Sequence, residues 1–335
     1  MPIMQTRRRL LTTMALGAAA TGILPYRKSA AAEPPLETTS VRIAKYPFIC
    51  YAPQFISDDL LRAEGFTDIQ FPDGSFNGAA TTVARELGQN KFDFAICLAM
   101  HFIFGIDAGD PISIVSGVHA GCFELFAREG IHSVADLKGK TVGISVANEL
   151  LLALASYVGL DPKRDLTLID DYKAKPLEQF AQGKIDAFMG IAPEPQILRA
   201  RGIGHVILRT AVDEPWSQYY CCMLAVNREY LQKHPVATKR VIRALLKAAD
   251  LCTREPEQSA RQIVDRGYID NYDLALQTIN DLPYSRWRDY DARDSVRFYA
   301  LRLHELGMIK NNPRRIAEEG TDSRFLDQLK RELKT

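Results

Sequence analysis

The chain has 335 residues, of which 47% are hydrophobic and 25% charged, and its formal net charge is +1. Such proportions belong to an ordinary globular protein with length for two domains, and the near-zero balance excludes bulk nucleic-acid binding. No apolar run reaches the roughly 18–20 residues that a membrane-spanning helix needs.

The first residues, MPIMQTRRRLLTTMALGAAATGILPYRKSAAAEPP, read as a targeting segment. Arg7, Arg8 and Arg9 precede a mildly apolar stretch from Met14 to Leu24, and Ala30-Ala31-Ala32 has the small-residue pattern of a cleavage site. Thr6–Leu11 fits the twin-arginine export signal, and the weak hydrophobicity and late Arg27-Lys28 pair suit that route. Residues 1–32 hold five basic side chains and no acidic one, so the remainder carries 37 Lys+Arg against 41 Asp+Glu and is mildly acidic. The expected location is therefore the periplasm.

Helix and strand then alternate. The pattern predicts strands at Val41–Ala44, Thr67–Phe71 and Phe92–Cys97, and helices at Gln54–Glu64 and Asn77–Leu87, the latter capped by Asn77. The middle repeats the scheme, with strands at Thr141–Ser145, Leu166–Ile169 and Ile185–Met189 and helices at Asn148–Val158 and Leu177–Gln182. LGQNKFDFAI (87–96) and FAQGKIDAFM (180–189) share one plan: helix end, turn, Lys, apolar residue, Asp, buried strand. This argues for two related α/β lobes with parallel-rich sheets flanked by helices. From Glu229 onward the pattern is almost wholly helical. Val236, Val241, Ile242, Leu245, Leu246 and Ala249 fall on one helical face. Further helices are expected at Glu257–Asp265, Tyr272–Leu282, Asp291–Leu306 and Thr321–Leu333.

Three stretches carry a family resemblance: Asp136-Leu137-Lys138-Gly139-Lys140 leading into the Val142–Ser145 strand, Gly183-Lys184-Ile185-Asp186-Ala187, and Asn227–Glu257. Together they resemble the exported solute-binding proteins of ABC importers, more narrowly the nitrate/sulfonate/taurine and thiamine-precursor binding group. The resemblance implies a type II periplasmic-binding-protein fold. Residues 1–32 would be the signal, 33–118 the first part of lobe I, 119–218 lobe II, and 219–335 the return crossing to lobe I with the C-terminal helices. It also implies a monomer that hands its ligand to a membrane permease and its ATPase, with no cofactor and no catalysis. Two alternatives stay open: a pyrimidine or thiamine-precursor biosynthetic enzyme on the same fold, and a ligand-sensing partner of a membrane receptor.

In open α/β sheets the ligand lies beyond the carboxyl ends of the strands. The candidates by strand end are Tyr46, Phe48 and Tyr51, then Met100 and His101, then His119 at the first crossing. Ser145 and Asn148 follow at a helix N-terminus, then Glu194, and finally Trp216 and Tyr219 at the second crossing. Several aromatics and no assigned Arg or Lys favour an organic, aromatic or heterocyclic ligand over a bare anion. The sequence holds no CxxC, HExxH, GxSxG or phosphate-loop motif, and no metal site is expected. The vicinal pair Cys221-Cys222 lies in WSQYYCCMLAVN (216–227). On an extended strand these neighbours would face opposite sides, so they are expected to pack apart rather than share one metal or reaction centre.

Overall fold

Lys91 and Lys184 follow turns in which Asn90 and Gly183 adopt positive φ, +62° and +75°. Each turn delivers an aspartate to the same task. Asp93 accepts a hydrogen bond from the Arg42 amide at 2.7 Å, and its own amide donates to the Arg42 carbonyl. Asp186 does the same with Thr141, accepting its amide at 2.8 Å and donating to its carbonyl. The internal similarity of the sequence is thus one corner built twice, in which a carboxylate fastens the following strand to an earlier one. The site requires φ > 0, which Gly adopts freely and Asn tolerates.

This computed structural model describes residues 33–75 and 80–333. The targeting segment and the Asn77 cap fall outside those residues. From Leu36 onward the chain forms one compact unit. Its strands are β1 (Ser40–Arg42), β2 (Asp68–Gln70), β3 (Phe94–Leu98), β4 (Ile112–Ala120), β5 (Phe123–Ala127), β6 (Lys140–Ile144), β7 (Leu166–Ile169), β8 (Ala187–Ile191), β9 (His205–Arg209) and β10 (Tyr220–Asn227). Five helices bear on the site: α1 (Ala99–Ala108), α2 (Asn148–Tyr157), α3 (Glu194–Ala200), α4 (Pro235–Arg254) and α5 (Ala292–Glu305).

The fold is α/β with mixed sheets. One sheet has the order β3-β10-β4, and another has the order β7-β6-β8-β5-β9. β1 and β2 pair in parallel, and Ile43 bridges to Phe94 to join them to β3. The strands of the repeating units, β6 with β7 and β6 with β8, are parallel as expected. The antiparallel pairs involve β5 and β10, which run next to the two connections between the sheets. β3, β4, β8 and β10 are buried along their whole length.

Several boundaries moved for local reasons. The helix expected at Gln54–Glu64 is broken into Ala52–Phe55 and Asp58–Ala63. At the break the Ser57 hydroxyl donates to the Gln54 carbonyl at 2.8 Å, competing with the helical ladder. Residues 99–120 gave no amphipathic signal, yet they form α1 and β4. Both are buried on nearly every side, which erases the polar stripe that periodicity needs. The last helix begins at Arg324, because Thr321 bridges to Ile114 at the sheet edge. α4 buries Val241, Ile242, Leu245, Leu246 and Ala249 as its spacing demanded, with Ala237 buried in addition and Val236 only partly covered.

Strand alternation at Cys221-Cys222 fails. The register of β10 against β4 shifts between Tyr220 and Cys222, so Cys221 is the extra residue of a bulge. A bulge re-aims side chains, and here the thiols of Cys122, Cys221 and Cys222 all lie within 4.8 Å of one another. The expectation that the pair must face apart is therefore corrected.

The twin corners predict a shared energetic role. Asp186→Asn should destabilise the protein by about 1–3 kcal/mol, because a carboxylate that anchors a backbone amide is replaced by a weaker acceptor. Asp93→Asn should cost at least as much, since Asp93 also pairs with Arg42 at 2.7 Å. Urea denaturation at pH 7 measures both, and stabilities unchanged from wild type would remove the corners from the account.

Candidate functional site

The strand ends of both large sheets converge where β3 runs into α1 and β6 runs into α2. A cavity of about 10 Å³, enough for roughly one water, lies there between Leu98, Ala99, Met100, Ala147, Leu150, Cys221 and Tyr299. Its walls come from β3, α1, α2, β10 and α5 and are mostly apolar. A larger cavity of about 240 Å³ lies elsewhere, around Asp107, Asp110, Arg228, Asn311, Arg315 and Glu319. Most of its polar groups are engaged: Asp107 accepts from the Lys310 and Asn311 amides, Arg228 donates to the Ile112 carbonyl, and Arg315 pairs with Glu319, while Asp110 Oδ2 has no hydrogen-bond partner among the described residues. It also lies at the C-terminal end of α1, away from the carboxyl ends of β3 and β6. Size alone is a poor guide here, and the smaller space is preferred because it lies at the carboxyl ends of β3 and β6, where α/β sheets hold their ligands.

Polar groups flank that space. His101, on α1, places Nε2 2.8 Å from Oε1 of Glu149, on α2, with both side chains buried. Its Nδ1 lies 3.4 Å from the Cys97 sulfur. Burial opposes charge on the ring, but Cys97 and Glu149 outweigh it and push the imidazole pKa up to about 10. The contact is electrostatic, since Glu149 Oε1 makes no aligned hydrogen bond among the described residues. At the neighbouring strand ends, the Ser145 hydroxyl donates to Glu194 Oε1 at 2.6 Å, and the Ile191 amide donates to Oε2 at 3.0 Å. Burial raises the Glu194 carboxyl to about 7 in spite of these donors. It can therefore donate or accept a proton near neutrality. Asn148 holds Asp170 at 3.0 Å at the start of α2.

The expected residues fall into three groups. Met100 lines the cavity, His101 and Asn148 directly follow lining residues, and Ser145 and Glu194 bond to each other at neighbouring strand ends. Trp216 and Tyr219 form an aromatic cluster instead. Trp216, 2% exposed, meets Tyr157 edge-on at 5.8 Å and Phe298 at 5.4 Å, while Tyr219 stacks on Phe298 at 3.9 Å. Tyr46, Phe48, Tyr51 and His119 make the third group. Phe48 packs edge-on against Tyr51 at 5.7 Å, and His119 packs against Tyr284 at 5.4 Å. Burial raises the Tyr46 and Tyr51 hydroxyls well above the ordinary range.

Sequence reasoning missed Glu149. An acid in the first turn of a helix is ordinary, since the helix dipole favours it, and only the facing His101 gives this one a purpose. It also missed a second link at the other side. Arg199 on α3 pairs with Glu124 on β5 and with Asp281 in the helix Tyr272–Asp281, while Gln196 donates to Asp281 at 2.8 Å. His101–Glu149 and Arg199–Asp281 thus both join residues 119–218 to the rest of the unit.

A model of the family described as "NMT1/THI5 like" matches residues 75–259. The chain belongs to the NMT1/THI5-like family. A protein named as a binding protein in Brucella abortus strain 2308 is 29% identical over 137 residues, 40% of this chain and 43% of that one. The bicarbonate-binding protein CmpA of Synechococcus elongatus is 27% identical over 101 residues, 30% of this chain and 22% of CmpA. The matches thus span less than half the length of these relatives. Among solved structures, the alkanesulfonate-binding protein SsuA of Xanthomonas axonopodis pv. citri, bound to MOPS, superposes with a TM-score of 0.66 at 18% identity, covering 88% of this chain and all of SsuA. The periplasmic nitrate-binding protein NrtA of Synechocystis PCC 6803 gives 0.69 at 13% identity, covering 90% of each chain. These likenesses establish the fold as that of periplasmic binding proteins. No helix among the described residues is long and apolar enough to cross a membrane.

The His101–Glu149 contact carries a signed pH dependence. A folded imidazole pKa of about 10 against 6.5 unfolded means that its stabilisation is complete below about pH 6.5 and is lost as pH rises toward 10. Glu149→Gln should lower stability by about 3 kcal/mol at pH 6, and the deficit should shrink steadily toward pH 10. Melting temperatures of both proteins across that range test it; a deficit independent of pH would sink the assignment.

Proposed function

We propose that this chain is the exported solute-binding component of an ABC importer, with residues 33–118 and 219–335 as one lobe and residues 119–218 as the other. The observation that carries the reading is the convergence of strand ends at a small apolar space, beside which His101 of one lobe meets Glu149 of the other at 2.8 Å with both side chains buried. The family membership and the likeness to periplasmic binding proteins support it. The arrangement corresponds to a closed state, held by His101–Glu149 and by Asp281 with Arg199 and Gln196. A ligand that bridges the lobes shifts the population toward closure through its higher affinity for that state. The closed form then docks on a membrane permease whose ATPase works on the cytoplasmic side. The protein acts as a monomer, and export by the twin-arginine route with cleavage near Ala32 agrees with the pattern of residues 1–32.

The solute we favour is a small organic molecule, aromatic or heterocyclic. The walls are mainly apolar and no Lys or Arg lines the space, while Glu194 at the neighbouring strand ends titrates near 7 and can donate to or accept from a ring atom; at about 10 Å³ the space must widen to take a ring. Relatives that bind bicarbonate, nitrate or sulfonates make those anions the necessary competitors.

A thermal-shift screen of pyrimidines, aromatic acids, alkanesulfonates, taurine, nitrate and bicarbonate tests the reading. A true ligand at 100 times its dissociation constant adds about 2.7 kcal/mol of stability. It should also change the fluorescence of Trp216, whose ring touches Tyr157 of one lobe and Phe298 of the other, and Trp216→Phe should abolish that response. A binder returns its solute chemically unchanged. No stability shift with any solute in the panel would overturn the proposal, and turnover of a bound solute would favour the enzyme.

A further inference from the structure

Four of the six cysteines meet at one point behind the cavity. Cys50 comes from the turn Ile49–Tyr51, Cys122 from the link between β4 and β5, and Cys221 and Cys222 from β10. His119, near the end of β4, joins them. Every one of these residues is 5% exposed or less. Donor atoms of Cys50, His119 and Cys222 lie within 4.8 Å of one another, as do those of Cys122, Cys221 and Cys222. Cys222 belongs to both sets and stands at the centre.

Free buried cysteines usually act as small apolar side chains. Two independent features depart from that here. The first is the spacing. Cys122 Sγ lies 3.9 Å from Cys222 Sγ, and a tetrahedral ion with sulfur at about 2.3 Å sets its ligands roughly 3.8 Å apart. The second is the imidazole. His119 Nδ1 lies 3.0 Å from the Gly121 carbonyl and 3.3 Å from that of Ala120. A carbonyl can only accept, so Nδ1 carries the proton and Nε2 presents a lone pair. Nε2 has no hydrogen-bond partner among the described residues, although the ring is fully buried. An imidazole oriented by backbone carbonyls through one nitrogen and left open at the other is the arrangement of a metal ligand.

We propose that Cys50, His119 and Cys222, which the fold already gathers, bind a thiophilic cation of the zinc type and take Cys122 from the adjoining thiol set as the fourth ligand when the ion enters. Imidazole and thiolate donors select zinc or copper(I) over calcium and magnesium. Cys221, 3.1 Å from Cys122, stands outside the four and hydrogen-bonds a coordinated sulfur. Binding displaces the protons of three thiols and involves no electron transfer. The four ligands come from the turn after β1, from β4, from the β4–β5 link and from β10, so the ion pins both connections between the sheets to the first strand region. All four positions are filled by protein, which makes the site structural rather than catalytic. It does not depend on the nature of the transported solute.

The test uses the full chain without residues 1–32, kept reduced and anaerobic, with cobalt(II) as the probe and zinc as competitor. The expected result is about one equivalent of cobalt, a tetrahedral visible spectrum with sulfur-to-cobalt charge transfer, displacement by zinc, and a rise in melting temperature. Cys222→Ser and Cys50→Ser should abolish the charge-transfer bands or reduce them with altered energy. His119→Gln, which keeps all six thiols, should change the visible bands and weaken binding at least tenfold. Cys252→Ser, a buried cysteine outside the cluster, should bind as wild type. The proposal is overturned if reduced wild-type protein binds neither cobalt nor zinc, if the three cluster variants bind like wild type, or if thiol counting finds a Cys122–Cys221 disulfide in protein purified without reductant and no metal uptake after its reduction.

Discussion

β10 is the constraint on which the rest of this molecule depends. It returns from the five-stranded sheet and inserts between β3 and β4, hydrogen-bonded on both sides and buried along all eight residues. A central strand cannot slip without turning every side chain to the wrong face. The fit is tight enough that the Tyr220 ring lies where a side chain on Gly117 of β4 would sit, about 2.1 Å from a built Cβ. The Tyr220 hydroxyl donates to the Trp287 carbonyl and ties the strand to the C-terminal helical part.

That insertion also shapes the site. The bulge at the start of β10 sets Cys221 on the wall of the cavity while its thiol stays with those of Cys122 and Cys222. The same few residues therefore border the solute space, the aromatic cluster of Trp216 and the sulfur cluster. Closure, in the function proposed here, must be accommodated by the short links between β4 and β5 and between β9 and β10. An ion held across those links would limit the twist open to them.

The fold was legible because its signals are local. Val142–Ile144 and Ala187–Ile191 are short apolar runs that follow the turns at Gly139 and Gly183, as buried strands do, and α4 shows its apolar stripe plainly. The repeated Lys-x-Asp corner could be read from the sequence as one plan used twice, but its partners Arg42 and Thr141 could not. The segment 99–120 was opaque because full burial on every side leaves no periodicity to detect. For the candidate site the sequence offered only positions, the strand ends at which α/β sheets hold ligands. The partnerships were not. Nothing local joins His101 to Glu149, 48 residues away, or Arg199 to Asp281, 82 residues away, and Trp216 reads equally well as a ligand platform or as the packed ring it is.

What the sequence determined by itself is the α/β plan and the helical C-terminal part. These follow from burial patterns and turn chemistry that act over a few residues. Tertiary structure alone decided which side chains meet. A one-residue bulge in β10 overrode strand alternation at Cys221 and Cys222, and chain crossings brought Cys50, His119 and Cys122 to the same place from distant segments. Alternation is a rule about a regular strand, and the strand is irregular where the two sheets must be joined.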